Sequence, residues 1–328
     1  MLFFSTLISS TLISISSQSW LGMWIGLEIN LLSFIPLMNE KKNMMSTESS
    51  IKYFIIQALA STVILMSIIL MSNIIPLMNL KYSSMIMNSA LFTKMGAAPF
   101  HYWFPEVIEG LNWMNALILL TWQKLAPMVI ISYKINSILS MSVVIICMII
   151  SGIKGLNQIS LRKIMAYSSI NHLGWMISTL IFNQMIWIIY FLIYTLMSIN
   201  IILTLNNFNM FYLKQMFYHM KSNKMIKIFF ISNFLSLGGL PPFIGFFPKW
   251  ITINTLINNN SFTLTILMVI LTLMTLYIYT RLTFSSILLS SSEIKLYFNN
   301  QKYDHWLTIS NFLSLLGMLI CTIMFNLT

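Results

Sequence analysis

The chain is 328 residues long, 58% hydrophobic and only 8% charged, with a mean hydropathy of +0.82 and a formal net charge of +11. A soluble domain carries about 25% charged residues, so this composition excludes a water-soluble enzyme and indicates a polytopic membrane protein divided into spans of about 20 residues. The basic excess forms neither a block nor an aromatic-interleaved face, which argues against a nucleic-acid partner.

Eleven spans are predicted in chain order: 2–19, 20–38, 51–72, 84–106 (broken), 112–133, 138–153, 163–182, 185–205, 228–257 (broken), 262–284 and 306–327. The first span follows no charged n-region and no Arg-rich amphipathic stretch, so neither a secretory signal nor a transit peptide is expected. In lipid each segment must satisfy its own backbone, so the spans are helices, or at the breaks irregular backbone shielded by protein. Between 207 and 227, Tyr212, Phe217 and Tyr218 beside Lys214 and Lys221 predict an interfacial helix lying on the membrane. The loop at 286–305 is the other long connection.

Threading eleven spans sorts the loop charges. Lys41, Lys42, Lys52, Lys154, Arg162, Lys163, Lys214, Lys221, Lys224, Lys227, Arg281, Lys295 and Lys302 fall on the N-terminal face, and Lys81 and Lys134 on the other. This asymmetry places the N-terminus inside and the C-terminus outside. Cys147 and Cys321 both lie in apolar spans and form no CxxC pair, which speaks against a disulfide framework, an iron–sulfur cluster or a structural zinc site and for buried, inert thiols. The 16 Lys against 2 Arg, with 27 Met, suggest an AT-rich coding genome such as an invertebrate mitochondrial one.

The sequence GAAPFHYWFPE at Gly96–Glu106 returns 143 residues later as GLPPFIGFFPK at Gly239–Lys249, with five of eleven positions identical. Each copy lies in an apolar segment and has a lysine at hand, Lys94 and Lys249. Two interrupted hydrophobic segments at corresponding places in two halves point to an ion pathway.

Four ionisable residues lie inside spans rather than in loops: Glu28, Lys94, Lys124 and Lys249. Each costs about 2.5–3.5 kcal/mol at a helix centre, so four facing lipid would cost on the order of 10 kcal/mol. They must face the bundle interior. Desolvation favours the neutral form of either group and pairing restores both charges, so a Glu/Lys pair of variable separation is a proton switch. Lysine suits this because, unlike arginine, it can be deprotonated. The alternative is static salt bridging between helices.

His172, following Tyr167, Ser168 and Ser169 on one helix, reads either as part of a water wire or as a hydrogen-bonded packing histidine. His101 and Glu106 line the mouth of the first break or reach the headgroups. Arg162, Lys163 and Arg281 are expected to snorkel. Trp20, Trp24, Trp103, Trp250 and Trp306 fall near span ends and read as interface anchors. There is no GxGxxG after a strand, no P-loop, no histidine pair spaced for haem or metal and no nucleophile–base constellation, so this chain is expected to bind no redox cofactor and no metal.

The stretches KMGAAPFHYWFPEVIEG, LTWQKLAP, LRKIMAYSSINHLGWM and LSLGGLPPFIGFFPKW resemble the antiporter-like membrane subunits of NADH:ubiquinone oxidoreductase, respiratory complex I, as coded by insect mitochondrial DNA. The last two set the chain with the chain-2 members rather than the longer chain-4 and chain-5 sisters. The resemblance implies an all-α fold of two inverted five-helix repeats, each with one broken helix, related to Mrp-type cation/proton antiporters. It divides a single membrane domain, 1–328, into a first repeat at about 20–133, a second at about 138–284 and a C-terminal helix at about 306–327. It further implies that eleven helices remain where bacterial members have fourteen, neighbouring subunits covering the surface of the missing three. The family's relay residues map onto Glu28, Lys94, Lys124 and Lys249, with His172 on the axis joining two half-channels. NADH, FMN, iron–sulfur clusters and ubiquinone are then expected on other subunits, with other membrane-arm chains and lipids as partners. The expected location is the mitochondrial inner membrane, with the N-terminus on the matrix side and the C-terminus on the intermembrane-space side. Two rival readings of the same residues are a free-standing antiporter and a spacer whose lysines only pair charges.

Overall fold

The computed structural model describes residues 2–39, 43–72, 78–222, 224–288 and 317. Lys41, Lys42, the loop 289–305, Trp306, Cys321 and, apart from Gly317, the expected span 306–327 lie outside the described residues. The side chains of Lys81, Tyr218, Lys221 and Lys224 are likewise outside the description.

The described residues form fourteen helices: α1 (Leu2–Ser16), α2 (Trp20–Met38), α3 (Met44–Ser72), α4 (Met78–Met95), α5 (Trp103–Gly110), α6 (Trp113–Leu120), α7 (Trp122–Tyr133), α8 (Ser137–Leu156), α9 (Leu161–Phe182), α10 (Gln184–Asn207), α11 (Leu213–Ser222), α12 (Lys224–Gly238), α13 (Phe246–Asn258) and α14 (Phe262–Leu288). Among the described residues, six segments are long and apolar enough to cross a membrane: Trp20–Met38, Met44–Met71, Trp113–Tyr133, Ser137–Leu156, Gln184–Asn207 and Phe262–Ser286. The expected spans 2–19, 84–106, 163–182 and 228–257 coincide with helices that are short, interrupted or, as α9 is, interspersed with polar residues.

One span is not a single rod. Residues 112–133 split at Thr121 (φ −114, ψ −72) into α6 and α7. Pro127 has no N–H for the carbonyl four residues back, and its ring crowds that carbonyl, which relaxes the turn preceding Lys124. The Lys124 N–H donates to Thr121 O at 3.2 Å, a tightened turn at the joint.

The core is organised around α9. From Ser168 to Leu180 it is buried on every face, so it lies inside the bundle rather than on its surface. Helices α5, α8, α10, α13 and α14 pack against it, including the helix that follows each sequence break. Towards the chain start, α1 packs on α2, and α3 and α4 form an antiparallel pair. Helix α11 lies where the amphipathic pattern at 207–227 placed one, with Tyr212 and Lys214 exposed and Met216 buried. It is tied to the start of α9 by backbone hydrogen bonds from Leu161 to Phe211 O (2.9 Å) and from Leu213 to Ile159 O (3.3 Å).

Candidate functional site

The two breaks share one backbone design. Helix α4 ends at Met95 and α5 begins at Trp103; α12 ends at Gly238 and α13 begins at Phe246. The first glycine of each break is left-handed, Gly96 at φ +72 and Gly239 at φ +76, a conformation costing other residues roughly 1–2 kcal/mol. Gly96 N–H donates to Thr93 O (3.1 Å) and Ala97 N–H to Phe92 O (3.0 Å). At the same offset, Gly239 N–H donates to Ser236 O (3.0 Å) and Leu240 N–H to Leu235 O (3.4 Å). Both are Schellman stops. Phe100 N–H to Ala97 O and Phe243 N–H to Leu240 O, each 2.9 Å, continue the match into the irregular segment.

What differs is how the carbonyls freed at each stop are satisfied. At the first, Gln57 donates to Lys94 O (3.2 Å), the Trp103 indole to Thr93 O (3.0 Å), and the Cys147 thiol accepts from Ala98 N–H (3.1 Å). Trp103 is therefore a buried seal of the break and not the interface anchor its position near a span end suggested. At the second, the Lys249 ammonium donates to Gly238 O (2.7 Å) and Leu237 O (3.4 Å), the negative end of the α12 dipole. The lysines are not a duplicated pair: Lys94 precedes its break, whereas Lys249 follows its own and falls at the repeat position of Glu106.

Lys94 and Glu28 form an ion pair at 3.7 Å with side chains 4% and 25% exposed. That separation exceeds hydrogen-bond length, and Glu28 Oε1 is buried without a hydrogen-bond partner. Beside Lys94, a cavity of about 20 Å³ is lined by Asn30, Tyr53, Gln57 and Gln123 among others, a volume that fits one water. Gln123 donates to Asn30 at 3.0 Å across it.

Lys124 is 1% exposed. Its ammonium lies between the rings of Phe104 (5.4 Å) and Tyr194 (5.2 Å), with the Tyr194 hydroxyl 3.5 Å away. Such a cation–π clamp stabilises a desolvated charge by about 2 kcal/mol. The His172 ring lies 5.0 Å from that of Tyr194, and its Nδ1 is 2.9 Å from the Tyr190 hydroxyl. His172 lies on α9, and the charges of Lys249 and Lys124 both act on it.

The structure thus pairs Lys94 with the partly exposed Glu28, sets His172 against the Tyr194 ring that clamps Lys124, and buries Lys249 against the carbonyls of the second break. Tyr194, Tyr190, Phe104, Asn30 and Gln123 complete these arrangements and went unremarked in the sequence; the i,i+4 spacing of Tyr190 and Tyr194 in an apolar helix was the available signal. The remaining polar residues serve elsewhere. His101 is buried against Pro99 O at 3.3 Å, and Glu106 pairs with Lys52 (2.9 Å), away from the buried groups. Lys163 pairs with Glu109 (2.6 Å), and Arg162 donates to Leu111 O (3.0 Å) while covering the Phe211 ring, so both are held by more than snorkelling.

The model of the family described as NADH:quinone oxidoreductase/Mrp antiporter, transmembrane, matches residues 17–275. The chain belongs to this family. Among relatives of this NADH:quinone oxidoreductase/Mrp antiporter chain, NADH-ubiquinone oxidoreductase chain 2 of Aedes aegypti is 50% identical over 331 residues, covering 99% of this chain and 97% of the relative. The Anopheles gambiae protein of the same name is 48% identical over 333 residues, covering 99% and 97%. The antiporter-family fold is also that of a chain in respiratory complex I from Thermus thermophilus with bound aureothin, with a TM-score of 0.86 at 21% identity over 97% of this chain and 78% of that one.

Proposed function

We propose that this chain is a core membrane-arm subunit of proton-pumping NADH:ubiquinone oxidoreductase, multi-pass in the mitochondrial inner membrane, where it couples quinone reduction elsewhere in the complex to proton transfer. The full-length match to relatives carrying that subunit's name supports the assembly, and the line of buried ionisable groups between two broken helices supports the chemistry. In this reading eleven spans form two inverted repeats, about 20–133 and 138–284, within one membrane domain with a C-terminal helix at about 306–327. The N-terminus faces the matrix and the C-terminus the intermembrane space. The chain binds no redox cofactor itself; NADH, FMN, iron–sulfur clusters and ubiquinone belong to other subunits. Its partners are the other membrane-arm chains, antiporter-like ones included, and lipids.

The relay begins at Glu28 and Lys94. While they are close, carboxylate and ammonium stabilise each other; when they separate, desolvation drives the Lys94 proton toward Lys124. From Lys124 it crosses α9 by His172 to Lys249, which exchanges with the outer face. The match between the two breaks, each beside a helix packed on α9, is the observation that carries this reading.

Mild-detergent native electrophoresis with an in-gel NADH stain and peptide identification tests the assembly. The chain is expected only in a very large NADH-active band; a free, NADH-inactive band would instead favour an independent cation/proton antiporter. Lys94→Met and Lys249→Met are expected to leave the chain inserted and to lower coupled NADH oxidation by about 10²-fold. Full pumping by both would leave the lysines as charge-pairing spacers.

A further inference from the structure

Two side-chain amides tie α2 to the α6–α7 segment. Asn115 of α6 donates at 2.8 Å to Leu37 O, in the last turn of α2, where carbonyls lack helical partners. Gln123 of α7 donates to Asn30 Oδ1 at 3.0 Å. The ties lie seven residues apart on α2 and eight apart on α6–α7, roughly 11–12 Å along either segment, so the two run antiparallel and in register. Between the ties, on the α6–α7 side, stands the joint at Thr121. The Asn30–Gln123 tie has a relay group at each end: Asn30 is two residues from Glu28 on α2, and Gln123 is next to Lys124 on α7. Asn30 is 3% exposed, so an amide left there without a partner is costly. The cavity beside Lys94 removes that cost. Asn30 and Gln123 both line it, with Lys94, Tyr53 and Gln57, and it fits one water. The two amides can therefore bond directly, or part and bond through a water at nearly equal enthalpy. The tie thus has two arrangements of similar energy.

We propose that the Asn30–Gln123 hydrogen bond couples the Glu28–Lys94 pair to Lys124: Asn30 and Gln123 are positioning residues through which displacement of Glu28 on α2 moves the ammonium on α7. The inference rests on the relay reading above and supplies the link between its first two stations. While Glu28 and Lys94 stand at 3.7 Å, the direct bond holds α7 with Lys124 in the Phe104–Tyr194 clamp. The third amide at the cavity, Gln57 of α3, donates to Lys94 O at 3.2 Å and keeps α4 in place, so the separation is set from α2. When α2 shifts and the pair separates, Asn30 moves with Glu28 on the same helix. Gln123 follows, and α7 flexes about the Thr121 joint while the Asn115 tie holds α6. Lys124 then changes its seat between the two rings. At the end of the stroke a water in the cavity replaces the direct bond and lets α7 return.

The experiment uses the intact complex in its native membrane and compares Gln123→Met, Asn30→Leu, the two together, and Lys124→Met. Assembly, protons moved per electron, coupled NADH oxidation and NADH oxidation by an artificial acceptor are read for each. Each single variant keeps the volume and deletes one end of the tie. It is expected to assemble normally, to leave the artificial-acceptor rate unchanged and to lower the coupled rate by about threefold to tenfold. The two together are expected to be no worse than either alone, because both delete the same bond. The exchange of Asn30→Gln with Gln123→Asn rebuilds a bridge of the same length, so it is expected to restore the coupled rate that Gln123→Asn alone lowers. Side chains with a merely structural role would show additive losses instead. Full coupling in both single variants, or additive losses in the pair, with Lys124→Met inactive, would overturn the tie and spare the relay. Full pumping in Lys124→Met would overturn the relay, and the tie with it. Should Gln123→Met or Asn30→Leu fail to assemble, the exchange decides, because it keeps an amide at both positions. Rescue upholds the tie; a Gln123→Asn variant at full rate, or one that Asn30→Gln does not restore, overturns it.

Discussion

Lys249 has two jobs that a substitution can separate. Its ammonium caps the carbonyls of Leu237 and Gly238, and its side chain lies so close over Gly239 that a Cβ there would stand 2.8 Å from Nζ. The left-handed turn at Gly239 and the absence of a side chain together make the seat. A cation at a helix C-terminus contributes about 0.3–1 kcal/mol when exposed and up to about 2 kcal/mol when partly buried. Arginine supplies the same charge to the same carbonyls with more donors, but it does not release its proton at any physiological pH. Lys249→Arg is therefore expected to assemble at the level of the unaltered chain while its coupled NADH oxidation falls as far as in Lys249→Met. Quantitative native electrophoresis beside proton-to-electron ratios reads both, and a pumping Arg variant would show that Lys249 acts only as a fixed charge. Lys94 offers no such separation, because its ammonium faces Glu28 and its helix end is sealed by the neutral donors Gln57 and Trp103.

Among the elements outside the two breaks, α6–α7 carries a local defect that reaches the candidate site. The joint at Thr121 and the proline at 127 bracket Lys124, so the same turn that loses a helical hydrogen bond carries the buried ammonium. Proline in a helix interior costs about 3 kcal/mol, and it stands here three residues past the lysine. Pro127→Ala restores the N–H and is expected to stabilise the isolated span by about 1–3 kcal/mol. Straightening the joint withdraws Lys124 from the Phe104–Tyr194 clamp, so the coupled rate is expected to fall while thermal stability of the assembled complex holds or rises. A variant with both stability and rate unchanged would show that the kink is incidental. This joint marks the limit of what the sequence disclosed about the elements. The broken helices were legible, because Gly and Pro in an apolar run are incompatible with continuous helix, and the buried charges were legible from their cost in lipid. The Thr121 joint was not, since a proline alone does not say whether a helix bends or splits. Tyr194 was not either: a tyrosine in an apolar helix is equally at home at the headgroups, and only the packing of α10 against α6 and α9 turns its hydroxyl inward. Trp103 was misjudged for the same reason, its place near a span end masking that it bonds back across the break.

Over the whole molecule, the charge asymmetry and the packing make a joint statement about orientation. Lys154 ends α8 and Lys214 begins α11, and the hydrogen bonds joining 159–161 to 211–213 hold these two exposed lysines at one end of the bundle. Lys134, just before α8 begins, lies at the opposite end of that helix. Helix α8, at 20 residues, is about 30 Å long, which matches the hydrocarbon thickness of a bilayer. The two ends are therefore separated by a full membrane, whichever way the bundle is inserted. In the topology proposed above, the lysine-rich and arginine-rich Lys154 end is the one that faces the matrix. A membrane-impermeant amine reagent is accordingly expected to modify Lys154 and Lys214 in inside-out vesicles, where the matrix face is outward, and to spare them in mitoplasts with intact inner membranes. Lys134, half-buried, is expected to show weaker modification with the opposite preference. Peptide mass spectrometry after labelling reads all three sites in one experiment. Reversal of the whole pattern would invert the topology and, with it, the proposed direction of proton uptake at Lys94 and release at Lys249. Modification of Lys154 and Lys214 from opposite sides would contradict the packing of α11 against the start of α9.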